Sequence, residues 1–110
     1  MVFTVSLQAY CAQAEDEALE IVALHCPRLM RLDVCFCLQI RDSGIVCIAE
    51  ACKDLRVVLL NGCEGLTDFG LERLVANCPH LGHVTVCRTS SPDISPEMAA
   101  KVRSIKSADR

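Results

Sequence analysis

The chain has 110 residues, 52% of them apolar, and a net charge of −3 from 14 acidic and 11 basic side chains. That length gives room for one domain, and so much apolar material supports a continuous core, which excludes a disordered chain. No Lys/Arg cluster stands apart, and aromatics are scarce (Phe3, Tyr10, Phe36, Phe69, no Trp), so the basic stripe and base-stacking platform of nucleic-acid binding are both missing.

The opening Met1-Val-Phe-Thr-Val-Ser-Leu7 faintly resembles a signal-peptide core, but no basic residue precedes it. No apolar run reaches the ~18 residues of a membrane span. An odd total of nine cysteines leaves one over under full oxidation, and the sequence around them is apolar and helix-forming rather than loop-rich. The expectation is a cytoplasmic or nuclear protein with reduced thiols, packed as small buried hydrophobes.

Cys26, Cys52 and Cys78 recur at intervals of 26 residues, and the rest of the chain keeps that period. The frame divides a single domain, 1–110, into a partial first unit (1–25), two full units (26–51 and 52–77) and a degenerate last unit (78–110). In the first unit, Cys11, Ala14, Asp16, Leu19 and Val22 keep the frame. Its strand does not: Ser6 and Gln8 fall where apolar residues are due, whereas Val5 and Leu7 fit if one residue is inserted before Cys11.

The two full units align column by column. Leu29, Leu55 and Leu81 coincide, as do Leu32, Val58 and Val84, and then Val34, Leu60 and Val86; these are strand positions. Cys37 with Cys63, Ile40 with Leu66, Asp42 with Asp68, Gly44 with Gly70, Ile45 with Leu71, and Ile48 with Leu74 belong to a turn and a helix. Leu55 to Leu60 alternates, with Val58 and Leu60 facing one way and Val57, Leu59 and Asn61 the other. From Asp68 onward, Leu71, Leu74 and Val75 have the i, i+3, i+4 spacing of an amphipathic helix, with Thr67 as its N-cap and Asp68 near the positive end of the dipole. Cys26-Pro27 and Cys78-Pro79 close their helices, because a residue before proline avoids the α region. In the last unit Thr89 replaces the second cysteine, residues 88–93 lengthen the turn, and Ser95 caps a helix that begins at Pro96. Such units cannot cover their own apolar edges. They must stack, with parallel strands on one side in a sheet only ~20 Å across and helices on the other.

The pattern Cys-Pro-x-Leu-x-x-Leu-x-Val/Leu-x-x-Cys-x-x-Ile/Leu-x-Asp-x-Gly-Ile/Leu resembles the cysteine-containing leucine-rich repeats of F-box proteins, over residues 11–87 and most closely from Cys52 to Leu81. The resemblance implies an α/β fold, a right-handed leucine-rich repeat solenoid with a short parallel sheet on its concave side and helices on its convex side. It also implies a non-catalytic protein–protein interaction module, like the substrate-recognition repeats of a Skp-cullin-F-box ubiquitin ligase receptor. The partner would be a ubiquitination substrate, with the Skp adaptor engaged only through an F-box, which is not recognisable here. The alternative is a stand-alone repeat adaptor or cell-cycle regulator unconnected to ubiquitin.

The residues alternating with the buried ladder are the candidate protein contacts on the concave face: Arg31, Asp33 and Cys35; Val57, Leu59 and Asn61; His83, Thr85 and Cys87. Val57 and Leu59 are apolar where a polar face is the default, although strands favour aliphatic residues in any case. No metal, cofactor or catalytic site is expected. Cys35, Cys37, His25-Cys26 and His80 invite a zinc site, but there is no Cys-x-x-Cys pair, and a cysteine that recurs once per unit behaves as core. His83 and Cys87 share a strand face, yet alternate residues lie ~7 Å apart, too far for proton transfer over four positions. Ser91-Pro92 and Ser95-Pro96 are either proline-directed phosphorylation sites or ordinary starts of a turn and a helix.

Overall fold

A computed structural model of the chain describes residues 3–6, 14–86 and 93–105. Strand and helix alternate throughout: β1 (Thr4–Ser6), α1 (Asp16–His25), β2 (Arg31–Asp33), α2 (Asp42–Ala51), β3 (Val57–Leu59), α3 (Asp68–Asn77), β4 (His83–Thr85) and α4 (Pro96–Arg103). The strands form one parallel sheet in the order β1-β2-β3-β4, so each is the neighbour of its predecessor in sequence. This is an α/β protein of repeated strand–helix units, and none of its described helices is long and apolar enough to cross a membrane.

The register explains why the columns of the sequence matter. Leu32 pairs with Val58, and Val58 with Val84, so residues one period apart stand side by side in the ladder. All three are buried, as are Leu29, Leu55 and Leu81, and Val34, Leu60 and Val86. From the helices and turns, Leu19, Ile45 and Leu71, Ile48 and Leu74, Cys37 and Cys63, and Ile40 and Leu66 complete the same core. Burying an aliphatic side chain contributes about 1.5–3 kcal/mol, so the rows together hold the units in contact. In the first unit Val5, not Ser6, pairs with Leu32, an interval of 27 rather than 26. The expected extra residue is therefore present, between Val5 and α1.

Backbone carbonyls tie the units together at the strand entrances. The carbonyl of Phe3 accepts the N–H groups of Met30 and Arg31, that of Met30 those of Arg56 and Val57, and that of Arg56 those of Gly82 and His83. The helix starts are tied as well. Asp16 accepts the N–H of Arg41 at 2.7 Å, Asp42 that of Thr67 at 2.9 Å, and Asp68 that of Ser95 at 2.8 Å, and each donor is the N-cap of the following helix. Asp68, expected to serve the dipole of its own helix, thus acts, like Asp16 and Asp42, across the joint between units. Gly44 and Gly70 permit it, because a Cβ at either would overlap the carboxylate of Asp16 or Asp42. Thr67 also accepts from the N–H of Phe69, and Ser95 from that of Met98, as helix caps do.

Helices α1, α2 and α3 end at Cys26, Cys52 and Cys78, each donating its N–H to the carbonyl four residues back. Cys52 precedes Lys53, so proline is not what closes all three. The shared feature is the cysteine: the Cys52 thiol donates to the Cys26 carbonyl at 3.3 Å, and the Cys78 thiol to the Cys52 carbonyl at 3.6 Å. The Cys63 thiol likewise donates to the Val34 carbonyl at 2.9 Å. Burial above all pushes Cys52 and Cys78 up to about 11 and Cys63 up to about 12, so these side chains are neutral donors at neutral pH.

Candidate functional site

The helices cover one face of the sheet. The other is lined by the strand residues that alternate with Val5, Leu32, Val58 and Val84. Parallel pairing arranges them in two rows, Thr4–Arg31–Val57–His83 and Ser6–Asp33–Leu59–Thr85. Arg31 and His83 are exposed, while Asp33, Val57, Leu59 and Thr85 are half-buried. An aliphatic centre, Val57 and Leu59, is thus flanked by a guanidinium and a carboxylate on one side and an imidazole on the other. The Thr85 hydroxyl is buried and has no hydrogen-bond partner among the described residues.

Of the contact residues expected from sequence, Arg31, Asp33, Val57, Leu59, His83 and Thr85 stand in these rows, and Asn61 is half-buried just past β3. Cys35 departs from the expectation of an outward side chain: it is only 7% exposed. The strand ends at Asp33, whose carboxylate accepts the Cys35 N–H at 3.1 Å, and the chain turns there instead of alternating further. Cys87, and with it the His83–Cys87 pair, lies outside the described residues, as do Cys11 and Ser91. Among the described residues, no group of three or more His, Cys, Asp or Glu side chains is placed to hold a metal ion.

The turn after β2 holds a feature the sequence did not announce. Phe36 has φ of 63°, in the left-handed region, and its ring is 56% exposed. One period on, Gly62 has φ of 78°. The two turns have the same backbone form, but only the second has the residue that adopts it without cost. The Phe36 ring lies against Gly62, where a Cβ would have to displace it, and the Phe36 N–H donates to the Asn61 carbonyl at 2.7 Å. Leu38, two residues on, is also exposed, at 51%. The signal for the Phe36 turn was the frame itself, since Phe36 and Gly62 are separated by 26 residues.

Repeated strand–helix units with one sheet face left open by the described residues define a class of α/β protein, and comparison with known proteins points the same way. No family model matches the chain. Residues of the chain are 46% identical over 44 positions to F-box/LRR-repeat protein 21 of sheep (Ovis aries), covering 39% of this chain and 10% of that protein. The cattle (Bos taurus) protein of the same name is 45% identical over 49 residues, 44% of this chain and 11% of that protein. F-box/LRR-repeat protein 4 of cattle is 31% identical over 77 residues, 68% of this chain and 12% of that protein. The chain spans about a tenth of the length of the curated relatives it matches. These partial matches support a link to F-box/LRR-repeat proteins.

Proposed function

We propose that the chain is a non-catalytic protein-binding module, a right-handed leucine-rich repeat solenoid of one domain, 1–110, whose sheet forms a concave recognition face. The face is that of Arg31, Asp33, Val57, Leu59, Asn61, His83 and Thr85, with Cys35 at its margin. It recognises a protein substrate for an F-box ubiquitin ligase in the cytoplasm or nucleus. The observation that carries this reading is the position of Val57 and Leu59. They are aliphatic, half-buried and central on the uncovered side of the sheet, within a polar surround, as the core of a protein interface is built. The similarity to F-box/LRR-repeat proteins supports the ubiquitin-ligase setting.

The test is affinity capture with the wild-type chain and with Val57→Asp/Leu59→Asp, a pair that charges the outer face and leaves the ladder residues untouched. Proteins held through this face are captured by the wild type and not by the variant, whose circular-dichroism spectrum is unchanged. If the module serves a ubiquitin ligase, those proteins accumulate in cells when cullin ligases are inhibited. Capture that survives the substitutions moves the site elsewhere. Capture that depends on the face, with no response to cullin inhibition, replaces the ligase reading with that of an adaptor.

A further inference from the structure

The helix layer carries a second, unrelated surface feature. Between α1 and α2 lies an open groove of about 430 Å³, with Ala23, Leu24, Cys47 and Ala51 as its apolar lining and Glu20 and Glu50 at its edges. Leu24 is 75% exposed, and Ile21, one helical turn back on the outer side of α1, is 60% exposed. An exposed aliphatic alone is ordinary; one that lines an apolar groove is less so.

The 26-residue frame supplies an internal control. One unit downstream, the positions of Leu24 and Cys47 are held by Glu50 and Arg73, which form an ion pair at 3.1 Å across α2 and α3. The Lys53 ammonium and the Asn77 amide oxygen, 3.3 Å apart, reinforce that joint. The α2/α3 joint is therefore sealed by polar groups, whereas one unit further on Ala76 holds the position of Glu50. At α1/α2 those positions hold a leucine and a cysteine, with the Glu20 carboxylate and the Arg73-paired Glu50 beside them. The Cys47 thiol reports the resulting field: burial first, and then Glu20, Glu50 and Asp16, push it up.

We propose that the α1/α2 groove is a docking site for a short segment of a partner protein carrying an aliphatic side chain flanked by lysines or arginines. The aliphatic group covers Leu24 and fills the space over Ala23, Cys47 and Ala51, and a flanking cation meets Glu20, the Glu50 carboxylate being engaged by Arg73. The site lies on the helix layer, away from the outward strand rows, so it stands or falls independently of the sheet face.

The experiment tracks amide shifts of the isotope-labelled full chain, kept reduced, during titration with three synthetic peptides of equal length. One has an amphipathic Leu/Lys pattern, one carries Glu for every Lys, and one carries Ser for every Leu. The expected result is binding of the Leu/Lys peptide alone, with shifts confined to residues 20–24 and 47–51. The variant Leu24→Glu/Cys47→Arg copies the Glu50–Arg73 pair into the groove and lowers the affinity at least about tenfold, an easily resolved difference. Leu24→Ser, on an exposed position that cannot disturb the core, lowers it too and guards against misfolding of the double variant. Equal binding of the Glu or Ser peptide, shifts centred elsewhere, or undiminished affinity in both variants overturns the proposal. So does sedimentation showing that the wild type self-associates and the variants do not, because the occupant is then a second copy.

Discussion

The carboxylate of Asp42 accepts both the N–H of Thr67, at 2.9 Å, and its hydroxyl, so the N-cap of α3 is fastened to the start of α2. Asp42→Ala removes both acceptors and leaves the Thr67 amide without its partner, an expected loss of about 1–3 kcal/mol. Thr67→Ala keeps the amide bond but loses the cap to Phe69, an expected loss of about 1 kcal/mol. The double variant costs less than the sum of the two, because the residues share one network. Urea denaturation of the four proteins measures each loss and the coupling.

Gly62→Ala places a Cβ on a left-handed residue and against the Phe36 ring. The ring is exposed and can swing aside, so the backbone sets the cost, about 1–2 kcal/mol. Phe36→Gly relieves the same conformation at its own position and is expected to change stability by less than about 1 kcal/mol, far from the 3–5 kcal/mol of a core Phe truncation. Denaturation midpoints decide between the two scales.

Leu60 is fully buried in the column shared with Val34 and Val86. Leu60→Ala is expected to cost about 2–5 kcal/mol, depending on how far the neighbouring units close over the space. In contrast, Leu24→Ala, on an exposed position, is expected to lie within about 0.5 kcal/mol of the wild type. Thermal melting in reductant compares them.

Cys52, Cys63 and Cys78 are held protonated in the folded chain, with values pushed up to about 11, 12 and 11. An unfolded thiol ionises at lower pH, so between about pH 9 and pH 11 the folded state binds more protons than the unfolded one. The stability these thiols contribute is therefore complete below about pH 8.5, declines as pH rises past that point, and is lost through the folded values. Urea midpoints between pH 7 and pH 10.5 trace the decline, and Cys63→Ala, which removes the most raised thiol, flattens it.

The rows of equivalent residues were legible because strand pairing in a parallel stack copies the sequence period directly into space. Leu32, Val58 and Val84 stand side by side for that reason, and even the displaced start of the first unit could be read from Val5. What escaped depends on where the chain leaves regular structure or crosses between units. Strand alternation would turn Cys35 outward only if it continued two residues beyond Asp33, where a side-chain bond to the backbone turns the chain instead. The aspartates look local to their own helices, whereas their partners lie 25 to 27 residues away. Leu24 and Cys47 look unremarkable in the sequence, and they gain meaning only beside the ion pair that occupies their places one unit later.

The aspartate at each helix start has a direction: it reaches forward, never back. Every joint is thus made by a carboxylate the earlier unit supplies and a backbone amide of the later one, which at the first two joints also contributes a glycine, Gly44 or Gly70, that leaves room for it. A chain joined in this way can grow or shrink by whole blocks through duplication or loss of a 26-residue stretch, with the fastening at the new seam supplied automatically. The fastening also accommodates a longer connection, since Asp68 reaches Ser95 over 27 residues where the other two joints span 25.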